Sequence, residues 1–172
     1  MITGSNGFIG NYISNYLEKK GHEILRVVRA RENFRNFKRF YTMDFERMEA
    51  SQHLFQAVDA VIHLAGLAHV PEKNLDSQYA QEINVTQTLN LAAQAKKNRV
   101  SKFVFLSSVK VLGEDSGNSF FSDTSIPNPT TVYGNLKWKA EVALRHLFNK
   151  NTSFLFVRAP LVYGPLVKAN FL

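Results

Sequence analysis

The sequence predicts an α/β domain in which helices wrap both faces of a parallel sheet, a doubly wound arrangement. Three observations predict it. Strand-like and helix-like periods alternate from end to end. A glycine-spaced turn, TGSNGFIG at 3–10, opens the first helix. No repeat, linker or low-complexity stretch divides the 172 residues, so one domain with a sizeable core is expected.

Each element has its own signal. Phe8, Ile9, Tyr12, Ile13, Tyr16 and Leu17 recur at helical spacing before Gly21, which marks the stop. Glu23–Arg29 reads as strand two and Phe40–Met43 as strand three, while the apolar run Ala60–Leu64 reads as a buried strand four. A long helix follows over Ser77–Lys97, with Tyr79, Ile83, Thr86, Leu89 and Ala93 tracing one stripe. Lys102–Ser107 is strand five. A polar loop carrying Gly113, Gly117, Pro127 and Pro129 leads to a helix over Val132–Phe148, then strand six over Phe154–Arg158.

The two ends depart from this regularity. Only Met1 and Ile2 precede the glycine turn, whereas a central strand usually runs about five or six residues, so the first strand is expected to be clipped. The other end stops just after a loop. Both suggest a piece of a longer polypeptide, one expected to be inactive as it stands.

Composition bounds the function. Hydrophobic residues make up 45% and charged residues 20% of the chain, and no apolar run approaches the ~20 residues of a membrane helix, so no membrane partner is expected. The absence of cysteine excludes disulfides, thiol catalysis and thiolate metal sites, and the chain is expected to be cytoplasmic. Its five histidines are scattered, which argues against a metal centre, and His63 inside an apolar strand reads as a satisfied core residue. The net charge of +7 raises nucleic acid as a partner, but no aromatic-basic pattern of a known module accompanies it. The charge concentrates instead in Arg26, Arg29, Arg31, Arg35, Lys38 and Arg39.

Gly4, Gly7 and Gly10 let a backbone approach a pyrophosphate whose charge rests on a helix N-terminus. The turn opens a βαβ unit, the context in which such a motif binds a dinucleotide. An acid about 20 residues further on would bind the ribose 2′-hydroxyl of NAD. Here that place falls on Arg29-Ala30-Arg31, and guanidinium groups grip a 2′-phosphate, which favours NADP over NAD; NAD stays open because arginine can also stack on adenine. Beyond binding, Ser108 lies at the carboxyl end of strand five, and Tyr133 and Lys137 stand four apart on one helix face, roughly 5–6 Å apart at Cβ. The lysine ammonium is expected to lower the tyrosine pKa so that the phenol works as acid or base, with Ser108 bonded to the reacting oxygen.

With TGSNGFIG at 3–10, HLAG at 63–66, Asn84, SSVKVLG at 107–113 and YGNLK at 133–137, the sequence resembles the extended short-chain dehydrogenase/reductases. Within them it is similar to the nucleotide-sugar epimerase/dehydratase branch, and the stretch from Arg158 resembles UDP-sugar 4-epimerases and 4-keto-reductases of surface-polysaccharide pathways. The resemblance implies a Rossmann-type sheet lacking its C-terminal substrate-binding portion and a hydride passed at sugar C4. In that frame Tyr133 is the acid/base, Lys137 holds the nicotinamide ribose, and Ser108 orients the oxygen. Gly4, Gly7, Phe8, Ile9 and Gly10 would bind pyrophosphate, Asp44 and Phe45 flank adenine, Leu64, Ala65 and Gly66 line the cofactor, Asn84 steady the backbone and Leu161 approach the nicotinamide. Asn170, with Ser108 and Tyr133, would touch a UDP-sugar, and the helices 77–97 and 132–148 would pair in a homodimer. Lys110 and Leu112 depart from the family's usual residues and leave the sugar open. A non-catalytic NAD(P)-sensing regulator or scaffold on the same fold is the alternative.

Overall fold

The computed structural model describes residues 1–29, 40–43, 45, 48–68, 76–148, 153–165 and 167. Six parallel strands form one sheet: β1 (Ile2–Thr3), β2 (Arg26–Arg29), β3 (Phe40–Met43), β4 (Ala60–His63), β5 (Lys102–Ser108) and β6 (Ser153–Ala159). Their order is β3-β2-β1-β4-β5-β6. The chain winds outward from β1 in one direction and then, from β4, in the other. The reversal between β1 and β4 opens the crevice in which doubly wound sheets take ligands, beyond the carboxyl ends of the strands.

The first strand is two residues long, clipped as expected, and it still pairs on both sides at the centre of the sheet. The amide of Ile2 donates to Leu25 O at 2.8 Å on one side, and Ile62 N donates to Met1 O at 3.0 Å and Leu64 N to Thr3 O at 3.2 Å on the other. With both edges bonded, two residues hold the central place. Strand two begins at Arg26 and not at Glu23, because its partners Ile2 and Phe40 both start opposite Arg26.

Residues Thr3, His63, Phe105 and Phe156 stand side by side across the sheet, as do Val61, Phe103 and Phe154 in the row before. On this face α2 (Ser77–Gln81), a π-helical turn (Glu82–Thr86), α3 (Gln87–Lys97) and α4 (Val132–Leu147) enclose the core around Leu91, Ala92, Ala95, Phe103, Phe105, Ala140 and Leu144. Their starts are capped: Asp76 accepts from the amides of Gln78 and Tyr79, and Thr131 from that of Gly134. On the opposite face α1 (Phe8–Lys19) covers Ile2 and Arg26.

The helix stripes are buried only in part: Ile83 is buried and Leu89 packs against the core, while other members turn outward. Along Ser77–Lys97, Tyr79, Thr86 and Ala93 are exposed, and the buried face carries Ala80, Asn84, Gln87, Thr88, Leu91 and Ala95. Apolar character misleads here because Asn84 and Thr88 are buried with their hydrogen bonds made, so polarity does not place them outside. In α1, Tyr12 and Tyr16 are 72% and 52% exposed, while Gly10 and Ser14 are buried. Small residues meet the sheet because the helix lies too close to it for rings.

Candidate functional site

The site forms where the turn after β1, the loop after β4 and the start of α4 meet. Gly4 has φ +67°, a left-handed conformation, and a Cβ there would lie 2.7 Å from Ala65 N. Only glycine serves both demands. A Cβ on Gly10 would collide with Gly4 O. The helix therefore begins directly over the turn. Gly7 is the N-cap of α1, with no side-chain cap and no acid in the first turn, so the amides of Phe8, Ile9 and Gly10 begin a helix whose positive end is left to an anion. A pyrophosphate fits this cradle: it needs close backbone approach and unopposed amide dipoles, and both are present.

A chain of hydrogen bonds joins this turn to the opposite wall. Thr3 Oγ1 lies 2.6 Å from His63 Nδ1, and His63 Nε2 lies 2.9 Å from Thr88 Oγ1. Thr88 gives its own hydrogen to Asn84 O at 3.0 Å. Its oxygen then accepts from His63, which fixes the hydrogen on Nε2 and leaves Nδ1 to accept from Thr3. Burial, and after it the Lys137 charge, hold the His63 pKa down at about 3. The expected satisfied core histidine is found. Thr3 and Thr88 were not singled out by sequence; the signal was a threonine in register with a histidine on the neighbouring strand.

Asn84 occupies the middle of the π turn, a wide turn that often marks a functional segment. Its side chain accepts from Leu67 N at 2.9 Å and donates to Leu67 O at 3.1 Å, pinning the loop Leu64–Leu67. Gly66 sits against this pin: a Cβ there would lie 2.9 Å from Asn84 Oδ1 and 3.5 Å from Lys137 Nζ. Gly66, Asn84 and Lys137, drawn from three separate segments, thus converge. A cavity of about 10 Å³ lies beside them, lined by Phe45, His63, Ala65, Gly66, Ile83 and Gln87. That is room for about one water. Phe45, expected beside adenine, is buried in the core, and Asp44 lies outside the described residues.

Lys137 points inward. Its ammonium donates to Leu106 O at 2.9 Å and rests 4.6 Å from the Phe105 ring centroid. Burial lowers its pKa to about 8, opposed by the charge of Glu141. The same amine lies 5.8 Å from the Tyr133 ring centre. The expected lowering of the tyrosine pKa is overturned: burial pushes the phenol up to about 12. The ammonium is spent on a carbonyl and on ring faces, so loss of hydration decides the phenol's acidity. Ser108 caps the short 3-10 turn Val109–Val111, its Oγ accepting from Lys110 N at 3.3 Å. That leaves the hydroxyl hydrogen to serve a ligand oxygen. Gly134 brings α4 onto this turn, since a Cβ there would lie 2.5 Å from Lys110 O. Tyr133 is thereby set beside the end of β5.

The basic cluster divides. Arg26 is 7% exposed and bound to Glu18 by Nε at 3.0 Å and Nη2 at 2.9 Å, with Asn11 and Asn15 completing its bonds. It faces α1 from the first residue of β2, away from the carboxyl ends, so it offers nothing to a phosphate there. The Arg29 side chain and Arg31, Arg35, Lys38, Arg39, Lys168 and Asn170 lie outside the described residues. Leu161, 54% exposed, follows β6 in a segment that returns to α1, where a Cβ on Gly164 would lie 3.4 Å from the Phe8 ring. Among the described residues no group of three or more metal-ligating side chains is gathered, and no helix is long and apolar enough to cross a membrane.

Comparison with known proteins agrees with this geometry. The chain is 32% identical to the UDP-glucose 4-epimerase of Vibrio cholerae over 181 aligned residues, covering 99% of the chain and 54% of that protein. It is 30% identical to the UDP-glucuronate 4-epimerase of Thermodesulfobacterium geofontis, covering 96% and 56%. Among solved structures it matches the UDP-glucuronic acid 4-epimerase of Bacillus cereus in complex with NAD, at TM-score 0.79 and 26% identity over 95% of the chain and 56% of that one. The chain spans about half the length of these relatives. The model of the NAD dependent epimerase/dehydratase family matches residues 1–171, and the chain belongs to that family.

Proposed function

We propose that the chain carries the dinucleotide site and the acid/base residues of a nucleotide-sugar 4-epimerase or 4-keto-reductase. The convergence of Gly66, Asn84 and Lys137 beyond the carboxyl ends of β1 and β4 supports this reading above all. The uncapped α1 N-terminus would hold the pyrophosphate, and the loop Leu64–Gly66 would support the nicotinamide end. NAD(P), when bound, supplies the acceptor and donor of a hydride at sugar C4.

The chain's own residues handle the proton. Tyr133, neutral at pH 7 with its pKa near 12, would donate its Oη hydrogen to a 4-keto oxygen as C4 is reduced; taking the 4-hydroxyl hydrogen in the reverse direction requires the phenolate. Ser108 keeps that oxygen in line through its free hydroxyl hydrogen. Lys137 supplies the buried cation against which charge on the phenol oxygen is stabilised once a ligand draws it from Leu106 O. UDP-glucose and UDP-glucuronate, named in the relatives, are the first substrates to try, and their epimers suit supply to surface-polysaccharide synthesis. For the dinucleotide, Arg29 and Arg31 favour NADP, whereas the B. cereus enzyme was solved with NAD. The helices Ser77–Lys97 and 132–148 are the proposed dimer faces, to be checked by light scattering.

Calorimetric titration of the chain with NAD+ and NADP+ separately, and epimerisation of UDP-glucose by a chain extended to the relatives' length, test the reading. Tighter NADP+ binding supports the arginine argument, and equal affinities remove it. Binding of neither dinucleotide by the extended chain refutes the assignment.

A further inference from the structure

Glu141 is fully buried, and a buried carboxylate must be matched. Its partners come from two strands at one register position: Ser107 and Arg158 stand opposite each other across β5 and β6. Ser107 Oγ donates to Oε1 at 2.6 Å, Arg158 Nε donates to Oε1 at 3.0 Å, and Arg158 Nη2 donates to Oε2 at 2.7 Å. Arg145 lies 4.0 Å from the same carboxylate but is half exposed. The clamp stands one helical turn beyond Lys137 on α4 and one residue beyond Leu106 on β5, so it closes the same helix–strand seam that the Lys137–Leu106 bond closes.

Burying an ion pair is a costly way to hold a helix on a sheet, and apolar residues would do it as well. The charge therefore calls for a further use. Around the Lys137 amine stand His63 on β4, Asn84 in the π turn, Tyr133 and Glu141 on α4, and the Leu106 carbonyl on β5. His63 is neutral. Among the described residues Glu141 is the charge acting on the lysine.

We propose that Glu141, gripped by Ser107 and Arg158, is a positioning residue that keeps Lys137 cationic and places it at the cofactor-facing end of α4. Arg158 tempers that influence, because its guanidinium offsets the same carboxylate. The inference rests on reading Lys137 as the site's cation, and it yields opposite signs for two substitutions. Glu141→Gln keeps the shape and removes the charge. Arg158→Gln leaves the charge less balanced.

The test is an NMR titration of the ligand-free chain carrying ¹³Cε-labelled lysine, with the Lys137 signal assigned by its absence in Lys137→Arg. Glu141→Gln is expected to move the Lys137 titration downward by roughly one unit, Arg158→Gln to move it upward, and Ser107→Ala to leave it within a few tenths. Far-UV circular dichroism verifies folding of each variant, and if Glu141→Gln does not fold, the upward shift in Arg158→Gln decides. Shifts of the same sign in the two charge variants, or an unmoved Lys137 in a folded variant of either, overturn the proposal. NAD+ affinity is measured in parallel. Failure of the native chain, extended to the relatives' length, to bind any dinucleotide sinks the proposed function while leaving the titration interpretable.

Discussion

Replacing His63 by Gln should flatten one component of the acid dependence of stability. In the folded chain His63 titrates at about 3, against 6.5 in an ordinary peptide. Between those values the unfolded chain binds a proton that the folded chain refuses, so the group's contribution is fully present above pH 6.5 and is lost as pH falls toward 3. Each pH unit in that window costs at most about 1.4 kcal/mol. From pH 7 to pH 5 the loss sums to about 2 kcal/mol, with the steepest part below pH 6. Glutamine retains an amide donor and acceptor, so it keeps part of the Thr3–Thr88 connection while removing the titration. Urea unfolding followed by circular dichroism, at pH 7 and pH 5, measures the difference directly. The native chain should lose about 2 kcal/mol more than the variant over that interval. Equal losses would show that the imidazole protonates in place, and that neither its burial nor its two threonine partners hold it neutral.

Gly4→Ala combines a left-handed backbone with a contact against Ala65 N; it should lower the melting temperature by roughly 5–15 °C and weaken NAD+ binding by at least about tenfold in calorimetry. Asn84→Ala releases both polar groups of Leu67 and should cost about 1–3 kcal/mol in urea unfolding, with a parallel fall in NAD+ affinity. Arg26→Ala removes the paired bonds to Glu18 and should destabilise by about 1–2 kcal/mol, yet leave the NAD+/NADP+ affinity ratio unchanged, because the side chain faces α1. Alkaline titration at 295 nm should lose a component near pH 12 in Tyr133→Phe. A lost component near pH 10 would contradict the burial argument.

The sheet was legible because its strands from β4 onward are apolar runs between turn signals, and because the glycine turn names the element on each side of it. The stripes of the helices were legible only in part. Reading them requires knowing that Asn84 and Thr88 find partners inside, and those partners, Leu67 and His63, belong to other segments. The same limit governs the site. A spacing of four predicts that Tyr133 and Lys137 share a helix face, and they do; it says nothing of the Leu106 carbonyl that takes the ammonium away from the phenol. Basic residues clustered in sequence were read as one group, although Arg26 is committed to Glu18 on the neighbouring helix. Glu141 had a faint signal of its own: a carboxylate and Arg158, each in an otherwise apolar phase of its element, can be buried only as a pair.

The π turn at Glu82–Thr86 makes the long helix intolerant of changes in length. Each residue added or removed ahead of Asn84 would rotate one half of the helix against the other by about 100°. With Ala80 packed against Leu136 and Thr88 bonded to His63, that rotation would be taken up at the wide turn itself, swinging Asn84 off Leu67. A single-residue deletion would therefore slacken the loop that Gly66 lies in, some distance from the lesion.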